Sequence, residues 1–137
     1  MPDIRFIDFP KMLDPRGNLT FVQFPGQVPF VIERVFWTYD VPGGETRGGH
    51  AYFGQEEIIV ALSGSFDVII TGLNGTAHRF QLNRSYYGLY LPPLTWRHME
   101  NFSSNSLALH ISDRKYSETD YIYDFDTYKE AVKAPHT

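Results

Sequence analysis

The fold of this chain is best inferred from residues 44–52, which read GETRGGHAY, followed by Glu57 and Gly64. As spacings, the stretch is G-x5-H-x-Y-x4-E-x6-G. His50 and Tyr52 are two residues apart, so in a strand their side chains point to the same face. The two glycines before His50 let a ligand approach its side chain. Two histidines and a carboxylate in such a cluster normally hold a metal ion, whereas one histidine beside a phenol indicates proton transfer on an organic substrate.

A second stretch farther along the chain, residues 88–101, reads GLYLPPLTWRHMEN and carries a proline turn before His98. Together the two stretches are similar to the two signatures of a cupin barrel, with Tyr52 where a second histidine usually stands. His50, Glu57 and His98 are then candidate ligands for iron or manganese. A phenol is a poor ligand at neutral pH because its pKa is about 10. The spacing therefore favours a site without metal, and the metal site remains an alternative.

The rest of the chain alternates short apolar runs with turn residues, as in antiparallel barrels and sandwiches. Aromatic residues make up 16% of the 137 residues, which favours strands over helical bundles. We predict strands at 4–9, 19–23, 34–39, 49–53, 57–63, 65–71, 76–82, 87–91, 96–101 and 107–112, and a helix at 126–133 capped by Asp126 and closed by Pro135. The clearest hairpin spans 66–76 and turns at 73–75. The sequence thus predicts an all-β fold, a single jelly-roll barrel of antiparallel strands with a short C-terminal helix, as one domain over 1–137.

The formal charge of −4 offers no basic field for a nucleic-acid backbone or an anionic membrane. The chain has no cysteine, which excludes disulfides, thiol nucleophiles and cysteine-ligated zinc. Its start lacks the apolar core of a signal peptide, and no run approaches the ~18 apolar residues of a membrane span. We therefore expect a cytoplasmic protein that binds neither nucleic acid nor membrane.

Several further stretches carry a resemblance to one family over nearly the whole chain. They are DPRGNL at 14–19, PF at 29–30, RV at 34–35, RGGHA at 47–51, LSGS at 62–65, GLYLPPLTWR at 88–97 and YSETDYI at 116–122. The chain resembles the sugar 3,4-ketoisomerases of the FdtA/QdtA (WxcM-like) cupin family, which act on dTDP-4-keto-6-deoxyglucose. The resemblance implies a metal-free jelly roll, usually a homodimer that exchanges N-terminal strands. It also implies a role in making 3-amino-3,6-dideoxy sugars for bacterial surface glycans.

The chemistry of such a reaction can be stated from the substrate alone. Moving a ketone from C4 to C3 requires removal of the C3 proton, stabilisation of an enediolate and return of a proton to C4. No metal or nucleotide cofactor is needed. A histidine is a suitable base and an arginine or phenol can stabilise the oxyanion. His50 is the candidate base, and Tyr52, on the same strand face, either shuttles a proton and orients the sugar or packs in the barrel mouth.

Arginines are the expected ligands of the diphosphate of a nucleotide sugar, and Arg47 is the best candidate because it lies beside the His50 strand. Arg16 and Arg97 occupy places where the family varies with the C4 epimer formed. Since arginine stands at both, the product stereochemistry stays open. The predicted catalytic residues are His50, Tyr52, Arg16 and Arg97, and the predicted substrate-binding residues are Arg47, Arg34, Trp96, His98 and Glu57.

Three departures from the family pattern keep a second function open. The family usually has histidine at the place of Tyr52, tyrosine at that of Phe36 and glutamine at that of Glu57. Either Tyr52 and His98 replace the missing acid–base groups, or the chain binds a nucleotide sugar or related carbohydrate without turnover. A ketoisomerase is the leading interpretation, a non-catalytic binding protein the second, and a metal-dependent cupin the third.

Overall fold

The computed structural model of the chain describes residues 3–134, which form β-strands and one C-terminal helix. The strands are β1 (Arg5–Asp8), β2 (Lys11–Met12), β3 (Leu19–Thr20), β4 (Arg34–Tyr39), β5 (Arg47–Tyr52), β6 (Glu57–Ser63), β7 (Phe66–Thr71), β8 (Ala77–Leu82), β9 (Tyr87–Leu91), β10 (Trp96–Glu100), β11 (Leu107–Ser112) and β12 (Tyr121–Ile122), and the helix is α1 (Phe125–Lys133). A short 3-10 turn, Glu118–Asp120, precedes β12. No helix within 3–134 is long and apolar enough to cross a membrane.

Two five-stranded antiparallel sheets make up the body of the molecule. The first sheet has the order β1-β9-β6-β11-β4 and the second β12-β5-β10-β7-β8, while β2 and β3 form a separate hairpin. The predicted hairpin is present, because β7 pairs with β8 from Phe66 opposite Leu82 to Thr71 opposite Ala77. Gly75 has a φ of 83° in its turn, a conformation that glycine adopts without strain. The all-β antiparallel prediction with a C-terminal helix is confirmed.

The main core lies between the two sheets, because each strand directs alternate side chains inward. Ile59 and Ala61 on β6 face Val68 and Ile70 on β7. The remaining members of this core are Phe66, Leu82, Leu89, Leu91, Met99, Phe102 and Ala108. At β5, β6, β10 and β11 the inward positions change from apolar to polar, and this change positions the candidate site.

Part of the outer face of each sheet is also covered. Ile58 and Val60 on β6 pack against Val28 and Phe30 from the segment that follows β3. Helix α1 covers the second sheet at Ala51 and Trp96 through Phe125, Tyr128 and neighbouring residues. Because both faces of β6 are buried over most of its length, the strand carries a continuous apolar run, IIVAL, between Glu57 and Ser63.

The structure differs from the sequence prediction at the chain's two ends. The second predicted strand, 19–23, pairs only over Leu19–Thr20, and two short strands, β2 and β12, were not predicted. The helix begins at Phe125, so the prediction of Asp126 as its cap was wrong. Asp124 is the cap, because its carboxylate accepts a hydrogen bond of 2.9 Å from the Thr127 amide. Pro135 lies outside the described residues.

Candidate active site

A cavity of about 530 Å³ lies between the two sheets, where their inward side chains turn polar. Both sheets supply its walls, which combine charged groups with aromatic rings. Its lining residues are Phe36, Trp37, Thr38, Thr46, Arg47, Gly48, His50, Tyr52, Glu57, Ile59, Arg97, Met99, His110 and Tyr121. A cavity of this size, in which aromatic rings stand beside convergent polar groups, is typical of a small-molecule site.

The pairing of β5 with β10 positions two of these groups. His50 is directly opposite Arg97, and the register shifts between Arg97 and His98. Gly48 faces this irregularity with a φ of 96°, and a Cβ at Gly48 would lie 3.0 Å from the His98 Cα. Glycine therefore permits the close approach of backbones that holds the imidazole beside the guanidinium.

His50 is surrounded by aromatic rings and carries a nitrogen without a partner. Its ring centroid lies 4.9 Å from that of Tyr52 and 5.3 Å from that of Tyr121. Nε2 is buried and makes no hydrogen bond. Burial, reinforced by the positive charge of Arg97, lowers the pKa of His50 to about 4. The imidazole is therefore neutral at pH 7 and can accept a proton.

Glu57 and Arg97 form an ion pair that joins the two sheets under the cavity. Their side chains are 2% and 3% exposed, and Arg97 Nη1 donates to Glu57 Oε1. Arg97 Nε donates to the Thr95 carbonyl at 2.9 Å, and Gln55 Nε2 donates to Glu57 Oε2 at 3.3 Å. Burial alone would raise the pKa of Glu57, but Arg97, with His110 and His50, lowers it to about 2. Arg97 Nη2 remains buried without a partner, so it is a free donor in the site.

Tyr52 contacts both the base candidate and the ion pair. Its side chain is buried, and the Arg97 guanidinium lies 4.9 Å from its ring centroid. Burial, together with the negative charge of Glu57, raises the pKa of Tyr52 above its usual range. The phenol therefore stays protonated and can donate a hydrogen bond.

His110 is part of this cavity, although it was not among the site residues predicted from the sequence. Its ring stacks on Phe36 with centroids 4.4 Å apart and planes 6° apart. Nδ1 lies 3.5 Å from Glu57 Oε2, and neither ring nitrogen makes a hydrogen bond. The available signal was strand alternation: Leu109 and Ile111 pack on the outer face of the first sheet, so His110 between them faces inward.

The structure brings some of the predicted site residues together. His50, Tyr52, Glu57, Arg97 and Arg47 all border the cavity, and Arg47 is exposed. Arg34 is connected to it through Gln55, whose Oε1 accepts a hydrogen bond of 2.9 Å from Arg34 Nη2. The Arg34 guanidinium also lies 4.6 Å from the ring centroid of Phe36.

Three other predicted residues lie away from the cavity. Trp96 packs on α1, with its ring centroid 5.2 Å from that of Phe125. His98 Nε2 bonds Glu100 Oε1 at 2.7 Å. Both flank Arg97 on β10, and because side chains alternate along a strand they face outward where Arg97 faces inward. Arg16 is exposed and pairs with Asp14 at 2.9 Å.

The alternative of a metal site built from His50, Glu57 and His98 is wrong for the same reason. His98 lies on the outer face of β10, and Glu57 is already bound by Arg97. Across residues 3–134, no three histidine or carboxylate side chains are grouped so that they could hold a metal ion.

Buried polar atoms without partners are concentrated at this cavity. Within residues 3–134 they are Arg34 Nε, His50 Nε2, Arg97 Nη2 and both ring nitrogens of His110. Leaving such a group unpaired costs about 1–3 kcal/mol, so buried polar groups are normally satisfied. Their clustering indicates a site prepared for a polar ligand.

Comparison with known proteins agrees with this geometry. The family model described as "FdtA: WxcM-like, C-terminal" matches residues 2–133. The TDP-4-oxo-6-deoxy-alpha-D-glucose-3,4-oxoisomerase of Aneurinibacillus thermoaerophilus is 35% identical over 128 residues, which cover 93% of this chain and 91% of that protein.

Two crystal structures of the 3,4-ketoisomerase QdtA from Thermoanaerobacterium thermosaccharolyticum are similar over 97% of this chain and 96% of theirs, each with a TM-score of 0.92. One, 30% identical, contains TDP. The other, 29% identical, is a histidine-to-asparagine mutant in complex with TDP-4-keto-6-deoxyglucose. With the family model matching nearly its full length, the chain belongs to the FdtA (WxcM-like, C-terminal) family of cupin-like proteins.

Proposed function

We propose that the protein is a sugar 3,4-ketoisomerase that acts on a dTDP-4-keto-6-deoxyhexose. The observation that carries the proposal is His50, a neutral imidazole whose buried Nε2 has no partner and borders a cavity beside the unpaired donor Arg97 Nη2. The curated relative and the two QdtA structures, which are 3,4-oxoisomerases or ketoisomerases of TDP sugars, support the substrate class.

These groups can carry out the isomerisation without a further reactant. His50 Nε2 takes the proton from C3, and the electron pair of the C3–H bond forms a C3–C4 double bond while O4 becomes an oxyanion. Arg97 Nη2 and the Tyr52 hydroxyl donate hydrogen bonds to that oxygen. The O3–H bond then breaks and its proton moves to O4, the electron pair left on O3 forms the C3 carbonyl, and the double-bond pair takes the proton of His50 at C4. The product is an isomer of the substrate, so the atoms balance without a second reactant.

The diphosphate of the substrate needs cations outside this buried centre. Arg97 is committed to Glu57, and Arg16 lies away from the cavity. Arg47 is exposed at the cavity, where a flexible guanidinium can bind a phosphate oxygen pair. We therefore propose Arg47 as the diphosphate ligand. Arg34, beside the cavity, is proposed to help bind the sugar.

The test is direct incubation of the purified protein with dTDP-4-keto-6-deoxyglucose, followed by NMR detection of the 3-keto isomer. We expect turnover by the wild type and a loss of at least about 100-fold in His50→Asn. His78→Gln, which removes an exposed histidine of β8, should retain wild-type activity. Binding of the nucleotide sugar without product would instead identify a non-catalytic carbohydrate-binding protein.

The same proposal includes a homodimer with exchanged N-terminal strands. In the chain described here β1 pairs with β9 of its own chain, at the edge of the first sheet. Phe6, Met12, Leu13 and Leu19 on this segment are each about half exposed or more, an apolar surface that exchange with a second copy would cover. Sedimentation equilibrium giving a monomer mass at micromolar concentration would contradict the dimer.

We also propose a cytoplasmic location and a role in deoxyamino-sugar synthesis for bacterial surface glycans. The lack of cysteine supports the location, because no disulfide requires an oxidising compartment.

A further inference from the structure

His110 is the group of the cavity that the mechanism above leaves without a role. Its side chain is 7% exposed, and both ring nitrogens are buried without a hydrogen-bond partner. A neutral imidazole has one donor and one acceptor nitrogen, so this burial leaves two polar atoms unsatisfied. Such an arrangement is costly for stability and indicates a group that meets a polar ligand.

The orientation of the His110 ring is set by its neighbours. Phe36 stacks flat against one face, and Nδ1 lies 3.5 Å from Glu57 Oε2. Glu57 is itself held by Arg97 and by Gln55. With Nδ1 directed to a carboxylate that is fixed in place, Nε2 is the nitrogen left for a ligand.

His50 and His110 come from opposite walls of the cavity. His50 is on β5 of the second sheet and His110 is on β11 of the first, and both line the same space. A sugar bound between them therefore has an imidazole on each side.

The isomerisation needs two kinds of proton transfer, one at the carbons and one at the oxygens. Tyr52 is a poor shuttle for the oxygens, because burial raises its pKa and the phenol resists releasing its proton. We propose that His110, oriented by Glu57 and Phe36, carries the proton between the two sugar oxygens, an inference that rests on the function proposed above.

The transfer balances without another reactant. After His50 has taken the C3 proton and O4 has become an oxyanion, the O3–H bond breaks and its proton goes to His110 Nε2. That proton then forms the O4–H bond. The electron pair left on O3 forms the C3 carbonyl as the double-bond pair takes the proton of His50 at C4. Both histidines end in the state in which they began.

The experiment separates the two transfers. Wild-type protein and variants are incubated with dTDP-4-keto-6-deoxyglucose in deuterated water, and NMR follows both loss of the C3 proton signal from the substrate and formation of the 3-keto isomer. His110→Phe keeps an aromatic ring against Phe36 but removes both nitrogens, and His110→Gln keeps a polar side chain that cannot shuttle a proton. His78→Gln is the control for removing a histidine outside the cavity.

We expect C3 exchange in His110→Phe and His110→Gln to stay within about threefold of wild type, while isomer formation falls about 100-fold. His50→Asn should lose both signals, and His78→Gln neither. If His110→Phe fails to melt cooperatively, His110→Gln alone decides the result.

Isomer formation within about threefold of wild type in the folded His110 variants would overturn the role of His110 while leaving the ketoisomerase intact. So would an equal loss of exchange and isomer formation, which indicates a structural role. A wild-type protein that neither exchanges nor isomerises would overturn the proposed function itself, and the role of His110 with it.

Discussion

The protonation of His50 sets the acid limit of the proposed reaction. The base must be neutral, and the pKa of His50 is lowered to about 4, so the reactive form persists until the pH falls toward that value. We expect kcat/KM to decline along an acid limb near pH 4, well below the pKa of about 6.5 of a free histidine. A pH profile between 3.5 and 8, restricted to the range where the circular dichroism is unchanged, makes the measurement. An acid limb at pH 6 or above would contradict the neutral buried base.

The same shift makes folding depend on pH. The unfolded chain binds a proton at His50 near pH 6.5 and the folded chain only near pH 4, so stability present above 6.5 is lost as the pH falls through this window. His50→Asn should therefore lose less of its urea stability between pH 6.5 and 4 than the wild type does. Parallel losses in the two proteins would contradict the shift.

Glu57 and Arg97 stabilise each other, so removing Arg97 alone should lower the free energy of unfolding more than replacing both residues does. Arg97→Met leaves a buried carboxylate unpaired, and we expect a loss of about 3–5 kcal/mol in the free energy of unfolding at pH 7. The double variant Glu57→Leu/Arg97→Met replaces the pair by apolar groups and should recover most of that loss. Urea titrations measure both.

The exposed ion pair of Arg16 and Asp14 offers a control for the buried pair. Arg16→Met breaks the exposed pair with Asp14 and should leave the urea midpoint unchanged. A double variant as unstable as Arg97→Met would show that the loss comes from packing rather than from the unpaired charge.

At the scale of the element, the junction of β5 and β10 depends on Gly48. An alanine there would meet the His98 Cα at 3.0 Å and the Arg97 carbonyl oxygen at 3.3 Å, in addition to the strain of a φ of 96°. Gly49→Ala is the matched control, since Gly49 has a φ of 76° but open space around it. Both variants should lose about 1–2 kcal/mol from backbone strain. Gly48→Ala should lose more, together with isomerase activity, because the clash displaces Arg97 from its place opposite His50. Equal melting temperatures for the two variants would contradict this account.

The elements also explain which parts of the site could be predicted from the sequence. Hairpins and alternating runs are local patterns, so the antiparallel fold followed from them. Trp96, Arg97 and His98 were all assigned to the site from one motif, but a strand sends only alternate side chains to one face, and Arg97 alone faces the cavity. His110 was passed over because its partner Glu57 is remote in sequence, and the pairing of β6 with β11 that joins them is a tertiary feature.

At the scale of the whole molecule, the two sheets share one core, and we expect them to unfold together. Each sheet carries one tryptophan: Trp37 is on β4 of the first sheet, and Trp96 is on β10 of the second, under helix α1. The cross-sheet pair of Glu57 and Arg97 and the interdigitated apolar layer couple the two halves. Trp37→Phe and Trp96→Phe each leave one tryptophan, so fluorescence then reports on one sheet. For each variant, the urea midpoint measured by fluorescence should equal the midpoint measured by far-ultraviolet circular dichroism at the same protein concentration. A fluorescence transition of either sheet that is separated from the circular dichroism transition would divide the chain into two folding units and contradict the single domain predicted over residues 1–137.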